Sequence, residues 1–344
     1  MTGQGVLRVS TWSVQYRRRT VIVIAALLCA LLMLAVLGLM LGSYGMSPGR
    51  ALESLVGRSD DALGSYFVRE LRAPRVVAAI IVGAALGVAG GLLQNVTLNP
   101  LGSPDLLGFT TGAATGALVE IIVFDGNRAA VALAAVAGGG VTALVVHALT
   151  RRGGMTAQRL VLVGLGVGVT LAALNNLLLV RASLVSAQTA GQWLAGSLNA
   201  MVWPETLLTL ALVLPLLLMA ALHIRPVAML SLGDDRAQAS GVDVRRVRVA
   251  AVAVTVALVA VATAATGPIA FVALAAPQVA RRLMHAPLPG VAGAALTGAV
   301  LVLLSDLLAQ RLFAPTELAV GVVSGAIGGV YLLWLLAIES RRSR

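Results

Sequence analysis

Apolar residues run along this chain in blocks of about twenty, separated by short segments rich in glycine, proline and arginine. The blocks fall near 20–41, 76–95, 105–124, 129–149, 160–180, 205–222, 249–266, 268–284, 290–310 and 318–338. A helix of about 20 apolar residues crosses the hydrocarbon core of a bilayer. The runs are continuous rather than alternating, which excludes a transmembrane β-barrel. Residues 249–284 would read as a single block if Gly267-Pro268 did not break it, because proline removes a helix donor and clashes with the preceding turn. The pattern therefore predicts an all-α polytopic membrane protein with ten transmembrane helices.

Charge sets the orientation. Only 11% of the 344 residues are charged, where a soluble chain carries about 25%. With the N-terminus inside, ten spans place both termini in the cytoplasm and 17 of the 25 basic residues on that side. The net charge of +11 is thus the positive-inside bias of a membrane protein and not a nucleic-acid surface. Residues 1–19 and 339–344 read as cytoplasmic tails flanking one membrane domain, 20–338. Arg17-Arg18-Arg19 precedes an apolar run too long for a signal-peptide core, so that run is expected to be a retained first helix. The one cysteine, Cys29, lies in it and has no disulfide partner in the chain. All 25 basic residues are arginine. A P-loop needs its lysine on the β/γ-phosphates, so this chain is no conventional ATPase.

Residues 42–75 are expected outside and 223–248 in the cytoplasm. Spans 2–5 and 7–10 are sets of opposite orientation, which permits the inverted repeat of many transporters. Gly83, Gly87 and Gly91 stripe span 2, Gly321, Gly325 and Gly329 stripe span 10, and Gly112 with Gly116 repeats the spacing on span 3. Small residues at this spacing let helix backbones approach in lipid. Gly164, Gly166 and Gly168 lack the spacing of a nucleotide fingerprint and read as packing.

Three groups of residues are candidates for function. Arg72 and Arg75 share a helix face at the outer start of span 2, and Arg311 lies at the outer end of span 9. They form either a basic rim for an acidic partner or local pairs with Glu70, Asp306 or Glu317. The segment from Leu230 to Val242 reads as a helix–glycine–helix, its small residues around a glycine turn suited to a groove on another protein. Gln94, Glu120, Asn175, Asn176 and Asp306 are polar residues within apolar spans, a class that is functional by default. They do not form the midplane carboxylate set of an ion-coupled carrier. His147, His223 and His285 lack metal-ligand spacing. At the hairpin Asn99–Asp105, proline is expected to stop one helix and Ser103-Pro104-Asp105 to cap the next.

In order along the chain, Leu71-Arg72-Ala73-Pro74-Arg75, Gln94, Asn99–Asp105, Gly196-Ser197-Leu198-Asn199, Leu232–Val242, Gly267–Val272, Asp306 and Pro315-Thr316-Glu317-Leu318 resemble the FecCD-type permease subunits of ABC importers for iron chelates and vitamin B12. The hairpin and the Asp234-Asp235 loop are most similar to one of the two non-identical permease subunits for ferric enterobactin. The resemblance implies a bacterial inner-membrane permease that imports a ferric siderophore, of catecholate type by preference, with haem or cobalamin as the alternative within the family. It implies a second, non-identical permease subunit, two ATPase subunits that hold ATP and Mg, and an extracytoplasmic siderophore-binding protein, with no cofactor in this chain. By position, Arg72, Arg75 and Arg311 would meet that binding protein. Leu232, Gly233, Asp234, Asp235, Arg236, Ala237, Gly241 and Val242 would seat on the ATPase, within a coupling loop over 223–248. Thr156, Ala157 and Gln158, following Met155, would stand at the cytoplasmic gate. The sequence departs from the family pattern at Ala270 and Ala273, where glycines are usual, at Gln278 for a common histidine, and at Ala319 for a common proline. These departures bear on the bending of helices at the outer mouth.

Overall fold

The computed structural model describes residues 4–9, 12–42, 44–151, 156–286 and 290–342. It opens on an antiparallel hairpin of β1 (Gln4–Val9) and β2 (Trp12–Arg17), in register from Gln4 opposite Arg17 to Val9 opposite Trp12. The hairpin occupies part of the segment 1–19 expected as a tail and precedes an otherwise helical chain. The sequence signal was alternation, with Leu7, Val9, Trp12 and Val14 at every second position of two short runs.

Helices account for the rest of the regular structure among the described residues. They begin with α1 (Arg18–Met40), α2 (Pro48–Val56) and α3 (Ala62–Tyr66). A π-helical turn over Phe67–Arg72 then runs unbroken into α4 (Ala73–Val96). Next come α5 (Phe109–Val119), with a π turn over Glu120–Phe124, then α6 (Arg128–Arg151) and α7 (Ala157–Arg181). The series continues with α8 (Leu184–Leu194), α9 (Trp203–Met229), α10 (Asp234–Ala239) and α11 (Val244–Thr266). It closes with α12 (Val272–Met284), α13 (Gly290–Arg311) and α14 (Val320–Arg342).

Seven helical segments among the described residues are long and apolar enough to cross a membrane: Arg18–Met40, Ala62–Val96, Arg128–Arg151, Ala157–Arg181, Trp203–Leu232, Val244–Thr266 and Gly290–Arg311. Phe109–Phe124 and Val320–Trp334 are apolar but shorter. The break at Gly267-Pro268 is present, with α11 ending at Thr266 and Gly267 at φ +72°. α12 is consequently only 13 residues long and carries Arg281 and Arg282 in its last turn. The run expected from residue 105 begins instead at Phe109. Gly108, at φ +76°, turns the backbone just before it and lies against Gly168 of α7.

α4 is the core. Some 83% of its most apolar stretch is buried, against 17% for α1, α7 and α9, so those three present their side chains to lipid or to another subunit. Cys29 is exposed on α1. Glycine makes the central packing possible. A Cβ at Gly83 or Gly87 would collide with the α13 backbone at Gly298 or Ala294, and one at Gly90 with the Ala273 carbonyl. Gly112 and Gly116 meet α6 at Thr142, Gly138 and Ala134 in the same way. The α14 stripe differs from its sequence reading. Gly321 packs on the Ala195 and Pro268 carbonyls, Gly325 and Gly329 face open space, and a second close contact falls on Gly328.

Candidate functional site

The structure gathers Arg72, Arg75 and Arg311 at one end of the bundle, where α1 and α13 finish and α4 begins, but it turns two of them inward. Arg72 is 8% exposed. Its Nη1 donates to the carbonyls of Leu39 (2.8 Å) and Met40 (3.2 Å), and its Nη2 to that of Tyr44 (2.5 Å). The last carbonyls of a helix lack intrahelical donors, so Arg72 caps α1 from a different helix. Arg75 grips Asp306 with Nη2 at 2.8 Å and Nε at 3.0 and 3.1 Å, and reaches Glu317 at 3.2 Å. Asp306 is 1% exposed and also accepts from Gln310. Of the two arrangements open from sequence, Arg75 takes the local pairing with Asp306 and Glu317, and Arg72 spends its donors on a helix end. Arg311 is exposed and donates to the Gly42 carbonyl at 3.1 Å.

Small outer elements steady this frame. Trp203 Nε1 donates to the Arg69 carbonyl at 2.7 Å and Thr206 to that of Pro74, tying α9 to the π turn. Asp61 caps α3 by accepting from the Gly64 N–H and from the Tyr44 hydroxyl, both at 2.9 Å. The Gly64 N–H, and after it the Tyr44 hydroxyl, hold the Asp61 carboxyl below its ordinary range. A depressed folded value stabilises this turn above the unfolded value, and the contribution is lost as pH falls through the folded one.

A cleft of about 650 Å³ opens beside α5, α7 and the Pro268–Phe271 turn. Its wall is mostly apolar, including Leu101, Leu106, Ala114, Phe271 and Leu332, with Ser103, Asp105, Thr110, Thr111 and Asn175 as polar points. The Asn99–Asp105 hairpin is its floor. Asn99 Oδ1 accepts from Leu101 N–H and Ser103 Oγ from Leu106 N–H, so Ser103 closes a turn and does not cap α5. The Asp105 carboxylate accepts from the Thr110 hydroxyl at 2.6 Å. Asn175 is 8% exposed and its Oδ1 has no hydrogen-bond partner among the described residues. Asn176 is exposed, and Glu120 opens the π turn that ends α5.

At the floor of the bundle, Gln94 donates to the Leu274 carbonyl at 3.0 Å and accepts from Arg281. Gln278 donates to the Pro100 carbonyl at 2.7 Å. Gln278 therefore fastens α12 to the hairpin. Ala270 and Ala273 are accommodated because neither has positive φ.

The helix–glycine–helix segment is α10, bounded by Gly233 at φ +94° and Gly241 at φ +83°. Val242 N–H bonds to the Ala237 carbonyl at 3.0 Å and Gly241 N–H to that of Gln238 at 2.9 Å, the paired bonds of a Schellman ending. Asp234 and Asp235 lie in the first turn, where the helix dipole favours them. Ala237 is fully buried, and Asp234 takes Arg248 of α11 at 2.9 Å. Leu232, Asp235, Arg236 and Gly241 are left exposed on a helix held firmly from behind. Thr156 caps α7 by accepting from Arg159 N–H, and Ala157 and Gln158 form its first turn, with Gln158 exposed. Met155 lies outside the described residues.

A glycine-packed bundle of this topology is that of a permease subunit of an ABC importer. A solved metal-chelate type ABC transporter in an inward-facing conformation superposes with a TM-score of 0.83 at 25% identity, over 92% of this chain and 98% of that one. The FecCD transport family matches residues 18–337, and the chain belongs to that family. It is 44% identical to the ferric enterobactin transport system permease protein FepG of Escherichia coli, over 94% of this chain and 98% of FepG. It is 38% identical to the achromobactin transport system permease protein CbrC of Dickeya dadantii, over 91% and 90%. ATP hydrolysis in such importers belongs to a separate subunit, and this chain has no catalytic role.

Proposed function

We propose that this chain is the path-forming subunit for a ferric siderophore entering through the bacterial inner membrane. It spans that membrane ten times with both ends in the cytoplasm, α5, α12 and α14 completing the count. The reciprocal packing of α4 on α13 and α11 on α6 supports an inverted repeat of spans 2–5 and 7–10. The observation that carries the substrate class is the similarity to FepG over nearly the full length of both chains. A second, non-identical permease subunit would close the cleft, two ATPase subunits holding ATP and Mg would drive it, and a siderophore-binding protein would deliver the chelate. Reconstituting the chain with these partners should give ATP-dependent uptake of a ferric siderophore, catecholate by preference. Uptake of cobalamin or haem instead would overturn the substrate class.

The docking rim is then narrowed to Arg311, with Arg72 and Arg75 as the frame that positions it. Arg311→Glu is expected to weaken binding-protein docking about tenfold at low salt, with the loss shrinking as salt rises. Docking equal to wild type at every ionic strength would remove Arg311 from the interface.

Leu232–Val242, within the 223–248 loop, would seat on the ATPase, and Thr156–Gln158 would gate the inner end of the path. Gly241→Glu puts a charge and a Cβ at a left-handed position on the exposed side of α10. It should reduce ATPase subunit co-purification and uncouple hydrolysis from uptake, while the membrane domain keeps its melting temperature. Normal association of the ATPase would count against this loop as the contact.

A further inference from the structure

The turn between α11 and α12 places an aromatic residue where an aromatic residue is costly. Phe271 has φ +65°, a left-handed conformation that only the surrounding structure can hold in a residue of this size. Its backbone neighbourhood is pinned on both sides. The Ala270 carbonyl accepts from the Ser324 hydroxyl of α14 at 3.0 Å, and the Phe271 N–H faces the half-buried Asp105 carboxyl, itself held by Thr110.

The ring stands between two spaces. On one side is the 650 Å³ cleft, and on the other a void of about 70 Å³ lined by α12, α13 and α14. Behind the ring is Gly328. A Cβ there would strike the Phe271 Cβ and come within 2.8 Å of the ring's Cδ1, so the ring lies where it does only because residue 328 has no side chain. With the backbone pinned and space both in front and behind, the freedom left to Phe271 is rotation of its ring between cleft and void.

We propose that Phe271 is the movable wall of the substrate cleft: its ring seals and narrows the path when turned forward and admits a bulky, apolar-faced chelate when it swings toward the void against Gly328. This rests on the reading that the cleft belongs to the substrate path. Asp105 and Ser324 act through Phe271, as positioning residues that fix the hinge.

The test uses the whole importer in proteoliposomes. Gly328→Ala adds a methyl group behind the ring and forces it forward, and is expected to cut ferric-chelate uptake about tenfold. Phe271→Gly in the same chain removes both the Cβ that the methyl group strikes and the ring that it pushes, so the double variant should recover uptake to near wild type. In vesicles loaded with chelate and lacking ATP, Phe271→Ala alone should raise efflux about tenfold, whereas Phe271→Leu, which keeps most of the bulk, should stay near wild type. The efflux measurement decides the matter even where Gly328→Ala does not assemble. Wild-type uptake in Gly328→Ala, a double variant that stays as impaired as Gly328→Ala, or efflux unchanged in Phe271→Ala overturns the movable wall alone. A wild-type importer that moves no ferric chelate overturns the permease reading and this inference together.

Discussion

Asp306→Ala should destabilise the folded chain by about 3–5 kcal/mol, read as a lower melting temperature of the purified subunit. The change removes the partner of a guanidinium that is 14% exposed and leaves Arg75 with only the half-exposed Glu317. Removing one member of a buried pair is costly because the other charge stays desolvated. Replacing both members with apolar residues of similar volume is often neutral. The double variant Arg75→Met/Asp306→Leu should therefore be more stable than either Arg75→Met or Asp306→Ala. A double variant no better than these single ones would mean that the pair does not act as a unit. The same double variant probes the rim. If it docks the binding protein normally, Arg75 serves the frame and not the interface.

Gly87→Leu should be still more damaging, with loss of assembled protein and at least about 3 kcal/mol of stability, the upper end of overpacking penalties. The site has no flexible side chain to yield, because the first atom a Cβ would meet is the Ala294 carbonyl oxygen of α13. The contact joins the most buried helix to its principal neighbour. Gly140 of α6 has open space around its Cβ position and is the matched control, for which Gly140→Leu should stay within about 0.5 kcal/mol of wild type. Equal effects at the two sites would show that leucine is harmful through helix propensity or expression rather than through the α4–α13 contact. Yield by size-exclusion chromatography and melting in detergent both distinguish these outcomes.

Apolar periodicity located the helices well, because a segment in lipid must satisfy its own backbone, and glycine or proline marks where it cannot. The break at Gly267-Pro268 and the glycine-bounded α10 follow from local chemistry of this kind. Side-chain partners were less legible. Arg72 looks like a surface charge in sequence, and its role depends on the carbonyls of a helix that ends some thirty residues earlier. The pairing of Arg75 with Asp306 was readable only as one of several alternatives, since it spans most of the chain. The α14 glycines show the limit of periodic patterns. The regular stripe of Gly321, Gly325 and Gly329 drew attention, while the close contacts fall on Gly321 and Gly328, seven residues apart and so on one face. The start of α8 had a usable signal in Ser183, whose side chain caps the Ser186 N–H, but it lay in a segment without an apolar period.

The capping of α1 by Arg72 bears on what moves during transport. α1 is a largely outward-facing helix, 17% buried over its most apolar stretch, and its last carbonyls are held by a side chain from the base of the most buried helix. Such a link leaves α1 little independence. Any tilt of α4 takes the end of α1 with it, so whatever packs around α1, acyl chains or a neighbouring subunit, must be displaced too and becomes part of the load.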